Sequence, residues 1–240
     1  MKKLTKKDVI YLAIIVLLVA GVVTMSVLYG TLSAKKSAED ATAYYDNKCK
    51  TFALKNPTLS KGQIVFVGDS ITDYYPLEDY YSDLSLSTYN RGISGDMTSG
   101  VYNRLKTSVY DVAPAKVVLL IGINDIHAGR ANDEIERNYT AILDGIKANL
   151  PETEVYCISV LPVNDKVEAW KWDHEAATTQ IKDLNVRIKA LADERGYTFL
   201  NLFSHFTDAS DHLIADYSDD GLHPNRKGYD VWTGILKPLL

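Results

Sequence analysis

The chain has 240 residues, of which 26 are Lys or Arg and 31 are Asp or Glu, for a formal net charge of −5 at pH 7. That length suits one domain with a full core and a further segment besides. The charge is unevenly spread: six lysines and one acid lie at or before Lys36, while 20 basic and 30 acidic side chains follow. The larger part is therefore acidic, which argues against nucleic acid or an anionic lipid surface as its main partner.

The first element is apolar. Residues 9–28 carry no charge; as a helix they span about 30 Å, one hydrocarbon thickness. Lys2, Lys3, Lys6 and Lys7 precede them, so the positive-inside rule predicts a cytoplasmic N-terminus and a domain on the outer side. A cleaved signal peptide is the alternative and would give a secreted protein. Its apolar core is usually ~7–15 residues, however, and Thr31-Leu32-Ser33-Ala34 matches the small-x-small cleavage pattern poorly. A buried core helix fits badly ahead of the charged stretch at 31–40. The expected organisation is a cytoplasmic tip and single-pass membrane anchor over 1–30, a stalk and leading helix over 31–60, and a domain over 61–240.

Residues 31–40 read as a polar stalk. Ser37 is placed to cap a helix whose apolar side is Ala41, Tyr45, Cys49 and Phe52, and Pro57 ends it. Residues 64–67, Ile-Val-Phe-Val, predict a strand buried on both faces. Gly68-Asp69-Ser70 follows, and then an aromatic, acidic loop with Tyr74, Tyr75, Tyr80 and Tyr81. A weaker strand at 86–89 runs into Asn90-Arg91-Gly92-Ile93-Ser94-Gly95-Asp96. Val101, Leu105 and Val109 mark a helix. A third strand at 116–121 ends in Gly122-Ile123-Asn124-Asp125, and Ile135, Tyr139, Ile142, Leu143, Ile146 and Leu150 mark the next helix. The fourth strand, 154–161, leads to a long loop with Trp170 and Trp172. A helix with Ile181, Leu184, Ile188 and Leu191 closes at Gly196. The fifth strand lies at 198–202, and Tyr229, Trp232, Ile235 and Leu236 mark the last helix.

This alternation predicts an α/β fold, a three-layer α/β/α sandwich on a flavodoxin-like five-stranded parallel sheet of order 2-1-3-4-5. Cys49 and Cys157 both sit in apolar patterns and are expected as buried thiols rather than a disulfide.

In such a sheet the loops after the strands converge on one edge. Ser70, Gly95 and Asn124 lie in three of them, and Asp220-Gly221-Leu222-His223-Pro224 precedes the last helix. A serine hydroxyl is a weak nucleophile until an adjacent base takes its proton. His223 is the candidate base, and Asp220 the group that holds its tautomer. The backbone N–H groups of Ser70 and Gly95 and the Asn124 amide are candidate oxyanion donors. Each residue also has a plainer role: Ser70 as a helix cap, His223 as a surface histidine, Asn124 as a turn former, Gly95 as a backbone hinge.

Gly68-Asp69-Ser70-Ile71, Ile93-Ser94-Gly95-Asp96, Gly122-Ile123-Asn124-Asp125 and Asp220-Gly221-Leu222-His223-Pro224 together resemble the ordered blocks of the SGNH (GDSL-type) hydrolases. The resemblance spans residues 68–224 and implies a flavodoxin-like sandwich that hydrolyses esters or thioesters through an acyl-serine, without a cofactor or metal. It assigns Ser70, Asp220 and His223 to the triad, and Ser70, Gly95 and Asn124 to the oxyanion hole. Substrate is not implied. Trp170 and Trp172 are candidates for stacking on a sugar or walling an acyl pocket, or else for pinning their loop. The run Asp208, Asp211, His212, Asp216 and Asp219 shows no metal-ligand spacing and reads as a solvated loop. O-acetyl or short-chain acyl groups on glycans are the expected substrates. Lysophospholipid or other lipid esters, thioesters, acyl transfer to a sugar hydroxyl, and a non-catalytic anchored binding module are the alternatives.

Overall fold

In a computed structural model, residues 5–167 and 173–240 are described. The chain divides into two units, Met1–Asp46 and Asn47–Leu240. Helix α1, Lys6–Lys55, runs uninterrupted for 50 residues. Its most apolar window has a mean hydropathy of 2.2 with none of it buried, and among the described residues it is the one helix long and apolar enough to cross a membrane. The predicted break does not occur. Residues 31–40 are helical, and Ser37 is an interior residue rather than an N-cap. The reason is composition: from residue 31 to 55 there is neither Pro nor Gly, and Ala and Lys, both strong helix formers, recur. The Thr31 and Thr42 hydroxyls donate back to the Leu28 and Ala38 carbonyls instead of opening a cap. Pro57 lies in the short turn Asn56–Thr58 that follows.

In the second unit the elements alternate in chain order. Strand β1 is Ile64–Gly68, followed by the short helices α2 (Ser70–Asp73) and α3 (Leu77–Tyr81). Strand β2 (Thr88–Gly92) precedes α4 (Thr98–Asn103), and β3 (Lys116–Leu120) precedes α5 (Ile123–His127) and α6 (Asn132–Asn149). Strand β4 (Glu154–Ile158), α7 (His174–Arg195), β5 (Thr198–Leu200), α8 (Phe203–Phe206) and α9 (Arg226–Leu236) complete the unit. All strand pairs are parallel and the order is β2-β1-β3-β4-β5, as predicted. The central β1 and β3 are the most apolar strands and are almost wholly buried, as a sheet covered on both faces requires. Helix α6 packs between α4 and α7. Helix α9 instead packs with α2 and α3, where Tyr75 stacks on Tyr229 and lies 4.8 Å from the Trp232 ring.

Several boundaries differ from the pattern: β3 ends at Leu120 and β5 at Leu200, short of the expected 121 and 202. Strand β2 starts at Thr88 and continues through Asn90-Arg91-Gly92, because pairing with Phe66, Val67 and Gly68 outweighs the poor strand propensity of those residues. Strand β4 stops at Ile158, since the Ser159 hydroxyl turns to accept from Phe203 N–H. The helix marked by Val101, Leu105 and Val109 is two pieces, α4 and a wider turn over Lys106–Tyr110. That turn brings the Ser108 hydroxyl to the buried Arg104 guanidinium at 2.8 Å. Cys49 and Cys157 form no disulfide. Cys157 is buried in β4, and its burial pushes the thiol up to about 12, while Cys49 is half-buried.

Candidate active site

The site forms where β1, β2 and β3 end. Gly68 closes β1 and must be glycine: a Cβ there would lie 2.2 Å from the Leu120 carbonyl oxygen and 2.3 Å from the Thr72 hydroxyl. The chain can thus turn sharply into α2, with Asp69 as its N-cap, accepting from Ile71 N–H at 3.0 Å. Ser70 becomes the first helical residue, 6% exposed at the sheet edge. Its backbone N–H is one of the donors that a helix start leaves without an intrahelical acceptor.

The Ser70 hydroxyl lies 2.8 Å from His223 Nε2, and His223 Nδ1 lies 2.6 Å from Asp220 Oδ2. Asp220 Oδ1 accepts from the backbone N–H groups of Leu222 and His223 at 2.9 and 2.8 Å. Partial burial alone would raise the Asp220 carboxyl; the His223 ring and those two donors outweigh it and bring the carboxyl down to about 2. Asp220 is therefore an anion at neutral pH, placed to hold the proton of the imidazole on Nδ1. With that tautomer, Nε2 carries the lone pair that faces the serine hydroxyl.

Gly95 has φ +79°, a left-handed conformation open to glycine at little cost. Neither its N–H nor that of Ser70 has a protein acceptor among the described residues. The Asn124 amide donates one hydrogen to the Asp96 carbonyl at 2.9 Å, which leaves its second N–H for another acceptor. The structure thus brings Ser70, His223 and Asp220 into one hydrogen-bonded line, although Ser70 and His223 are 153 positions apart, and it sets the Asn124 amide against the Asp96 carbonyl, the residue after Gly95. Trp170 and Trp172 lie outside the described residues.

Several supporting groups were not anticipated. Arg104, 3% exposed, donates to Asp96 Oδ2 (2.8 Å), the Arg91 carbonyl (2.7 Å) and the Gly68 carbonyl (2.9 Å). It thereby ties the ends of β1 and β2 together. Asp125 accepts from the Thr98 N–H and hydroxyl at 2.9 and 2.6 Å, joining the loop after β3 to α4. The Asn90 amide donates to the Thr72 and Tyr75 carbonyls, fastening the segment after α2. Of the tyrosines in that segment, Tyr75, Tyr80 and Tyr81 are buried, and Tyr75 bonds the Thr233 hydroxyl at 2.6 Å. Tyr74 is 57% exposed with its ring 5.1 Å from that of His223. Arg104 follows Val101 by three positions, and only its recurrence within an apolar face hinted at burial.

A doubly wound sheet of this order, with its polar groups gathered beyond β1, β2 and β3, is that of the SGNH-type carboxylic ester hydrolases. The profile of the GDSL-like Lipase/Acylhydrolase family matches residues 66–231. The chain belongs to that family. No curated protein sequence matches it. Among solved structures it is similar to a Streptococcus pneumoniae protein described as a platelet activating factor, at 28% identity and a TM-score of 0.81, covering 87% of this chain and 98% of that one. A GDSL-like lipase from Bacteroides thetaiotaomicron is 27% identical, with a TM-score of 0.70 over 80% of this chain and 96% of that one. An acetylxylan esterase from Geobacillus stearothermophilus shares the fold at 19% identity, with a TM-score of 0.59 over 75% and 94% of the two chains.

Proposed function

We propose that the protein is a membrane-anchored serine esterase whose domain lies outside the cytoplasm and removes O-acetyl or other short acyl groups from glycans. The observation that carries the catalytic part is the line from the Ser70 hydroxyl through His223 to Asp220, at 2.8 and 2.6 Å. Ser70 Oγ attacks the ester carbonyl carbon while His223 Nε2 takes the hydroxyl proton. The carbonyl oxygen, now an anion, accepts from the N–H groups of Ser70 and Gly95 and from Asn124. Collapse of the tetrahedral species breaks the carbon–oxygen bond, and His223 gives its proton to the departing alcohol. Water then attacks the acyl-serine, losing a proton to His223, and the acid leaves as Ser70 recovers its hydrogen.

Three features support the remaining parts. The lysines ahead of an unburied apolar helix fit an anchor with its N-terminus inside. The acidic balance of the rest of the chain disfavours anionic lipid surfaces as the target. Tyr74 presents an exposed ring 5.1 Å from that of His223, where a sugar ring can rest against it.

The test compares purified full-length protein with Ser70→Ala. The parent should label with a fluorophosphonate probe and hydrolyse p-nitrophenyl acetate, and the variant should do neither. Turnover of the reporter at the parental rate by Ser70→Ala refutes the nucleophile. Release of acetate from O-acetylated polysaccharide is expected to exceed release of fatty acid from lysophospholipid; the reverse order refutes the glycan assignment.

A further inference from the structure

Behind the loop that carries Asp220 and His223, three segments distant in sequence meet. Asp165 comes from the stretch after β4, His174 is the first residue of α7, and His212 stands in the turn before Leu213. Each offers one ligand atom, and the three atoms lie within 4.8 Å of one another. His212 Nε2 is 3.2 Å from Asp165 Oδ1. Its Nδ1 is buried without a hydrogen-bond partner, and the nearest carboxylate oxygen, Asp208 Oδ1, is 3.7 Å away. That oxygen already accepts from the N–H groups of Ser210 and His212. The His174 ring lies parallel to that of His212, centroids 3.6 Å apart, and makes only long contacts, 3.3 Å to the Ser210 carbonyl and 3.5 Å to the Thr178 hydroxyl.

An imidazole nitrogen that is buried and unmatched is a cost that a folded protein rarely leaves standing. A second imidazole stacked on the first does not relieve it, because neither face supplies a hydrogen bond. A cation shared by the two rings and a carboxylate settles the tautomer instead: bound to Nε2, on the Asp165 side, it puts the ring proton on the buried Nδ1, which faces Asp208 Oδ1 at 3.7 Å. We propose that Asp165, His174 and His212 form a binding site for a divalent transition metal of the zinc type. Two neutral nitrogens and one carboxylate suit Zn²⁺, Co²⁺ or Ni²⁺, and not Mg²⁺ or Ca²⁺, which take oxygen ligands. Water completes four-coordination. Because the rings are parallel, their in-plane lone pairs run side by side, so one ring must turn to converge. His174 is the one able to turn: it is only half-buried and its contacts are long. The nearby Lys182 ammonium is engaged by Asp211 at 2.5 Å.

The site is well placed to stiffen the catalytic loop. Val163 accepts from Leu213 N–H at 3.0 Å, Asn164 N–H donates to the Gly221 carbonyl at 2.8 Å, and the Asn164 amide donates to the Leu213 carbonyl at 2.8 Å. An ion that clamps Asp165 to His212 therefore holds the backbone one residue from Asp220. It does so without contact with the reacting atoms, so its role is positional.

The experiment titrates full-length protein, stripped with chelator, with Zn²⁺ by calorimetry and with Co²⁺ by visible absorption, and reads the thermal midpoint with and without Zn²⁺. The expected result is one ion per chain, a low-coordinate Co²⁺ spectrum, and a midpoint raised by Zn²⁺. His174→Ala and Asp165→Asn, both at accessible positions, should weaken binding at least tenfold and abolish the rise. His212→Ala tests the buried ligand but carries less weight, since it also opens a cavity. His205→Ala should bind like the parent. The proposal is overturned by absence of saturable binding, by binding that survives His174→Ala and Asp165→Asn unchanged, or by binding lost instead in His223→Ala, which would place the ion at the triad.

Discussion

Arg104 tests whether the site depends on a cation that makes no contact with substrate. In Arg104→Met the hydrocarbon stem is kept and the guanidinium is lost. The Asp96 carboxylate, with a side chain 3% exposed, then sits in the protein interior without its cation, and breaking such a pair costs about 3–5 kcal/mol. The Gly68 and Arg91 carbonyls each lose a charged donor as well, at roughly 1–3 kcal/mol for a buried group left unmet. These penalties overlap, because water entering the gap serves more than one group, so a destabilisation of about 4–6 kcal/mol is expected. A domain with ~5–15 kcal/mol of total stability feels that severely. Urea unfolding of the full chain in detergent micelles measures it, with the slope required to stay constant. Adding Asp96→Asn removes the stranded charge and should restore about 1–3 kcal/mol, a coupling read from the double-mutant cycle. In the fraction that remains folded, turnover of an aryl acetate should fall roughly ten- to a hundredfold, since Gly68 lies two residues before Ser70 and Asp96 orients Asn124. Stability within about 1 kcal/mol of the parent, or unchanged turnover, refutes the reasoning.

Asn124→Ala should lower kcat for an aryl acetate by about 10²–10³-fold with little change in unfolding midpoint, as loss of one oxyanion donor does; an equal loss appearing only in KM would argue against that role. Asp69 makes a pH prediction. Its burial, with Asp96 and Asp125 nearby, pushes the carboxyl up to about 7 from an ordinary value of 3.8, and its Oδ2 has no partner. Between those values the unfolded chain has lost the proton and the folded chain keeps it, so stability falls as pH rises from 3.8 and levels off above about 7. A rise of that size corresponds to about 4 kcal/mol at most. Asp69→Asn should therefore gain on the parent steadily between about pH 4 and pH 7 in denaturation and keep a constant lead above that; a difference that does not vary with pH would show that Asp69 is ionised in the fold.

The parts of the fold that could be read directly were those governed by local rules. The run at 64–67 and the apolar stretch at 116–121 are strands whatever surrounds them, because nearly every side chain in them needs to leave water. The period of Ile135, Tyr139, Ile142, Leu143 and Ile146 places α6 on the same ground. The strand order followed from alternation and handedness. The candidate residues of the site stood out for a related reason: each stands where a strand end or a helix start forces a sharp turn, and such turns leave a short ordered signature around Gly68, Gly95, Asn124 and Asp220.

Polar residues do not by themselves interrupt a helix. The stretch at 31–40 is charged and soluble in character, yet Ala, Lys and Glu propagate a helix as well as apolar residues do, and α1 continues through it. The tyrosines after Ser70 carried no period that would tell the three buried ones from exposed Tyr74; α9 decides that by covering one side of the segment.

The sequence by itself thus determined which segments after residue 60 form the strands and the longer helices, how the sheet is wound, and which residues are candidates for the site, because each of these depends on neighbours a few positions away. Tertiary structure alone decided that Arg104 is the buried cation joining β1 to β2, that Tyr74 faces His223, and that His174 comes to rest on His212. Those contacts join residues 13 to 149 positions apart, and their energy comes from removing charged or aromatic groups from water together, a condition that no local pattern encodes.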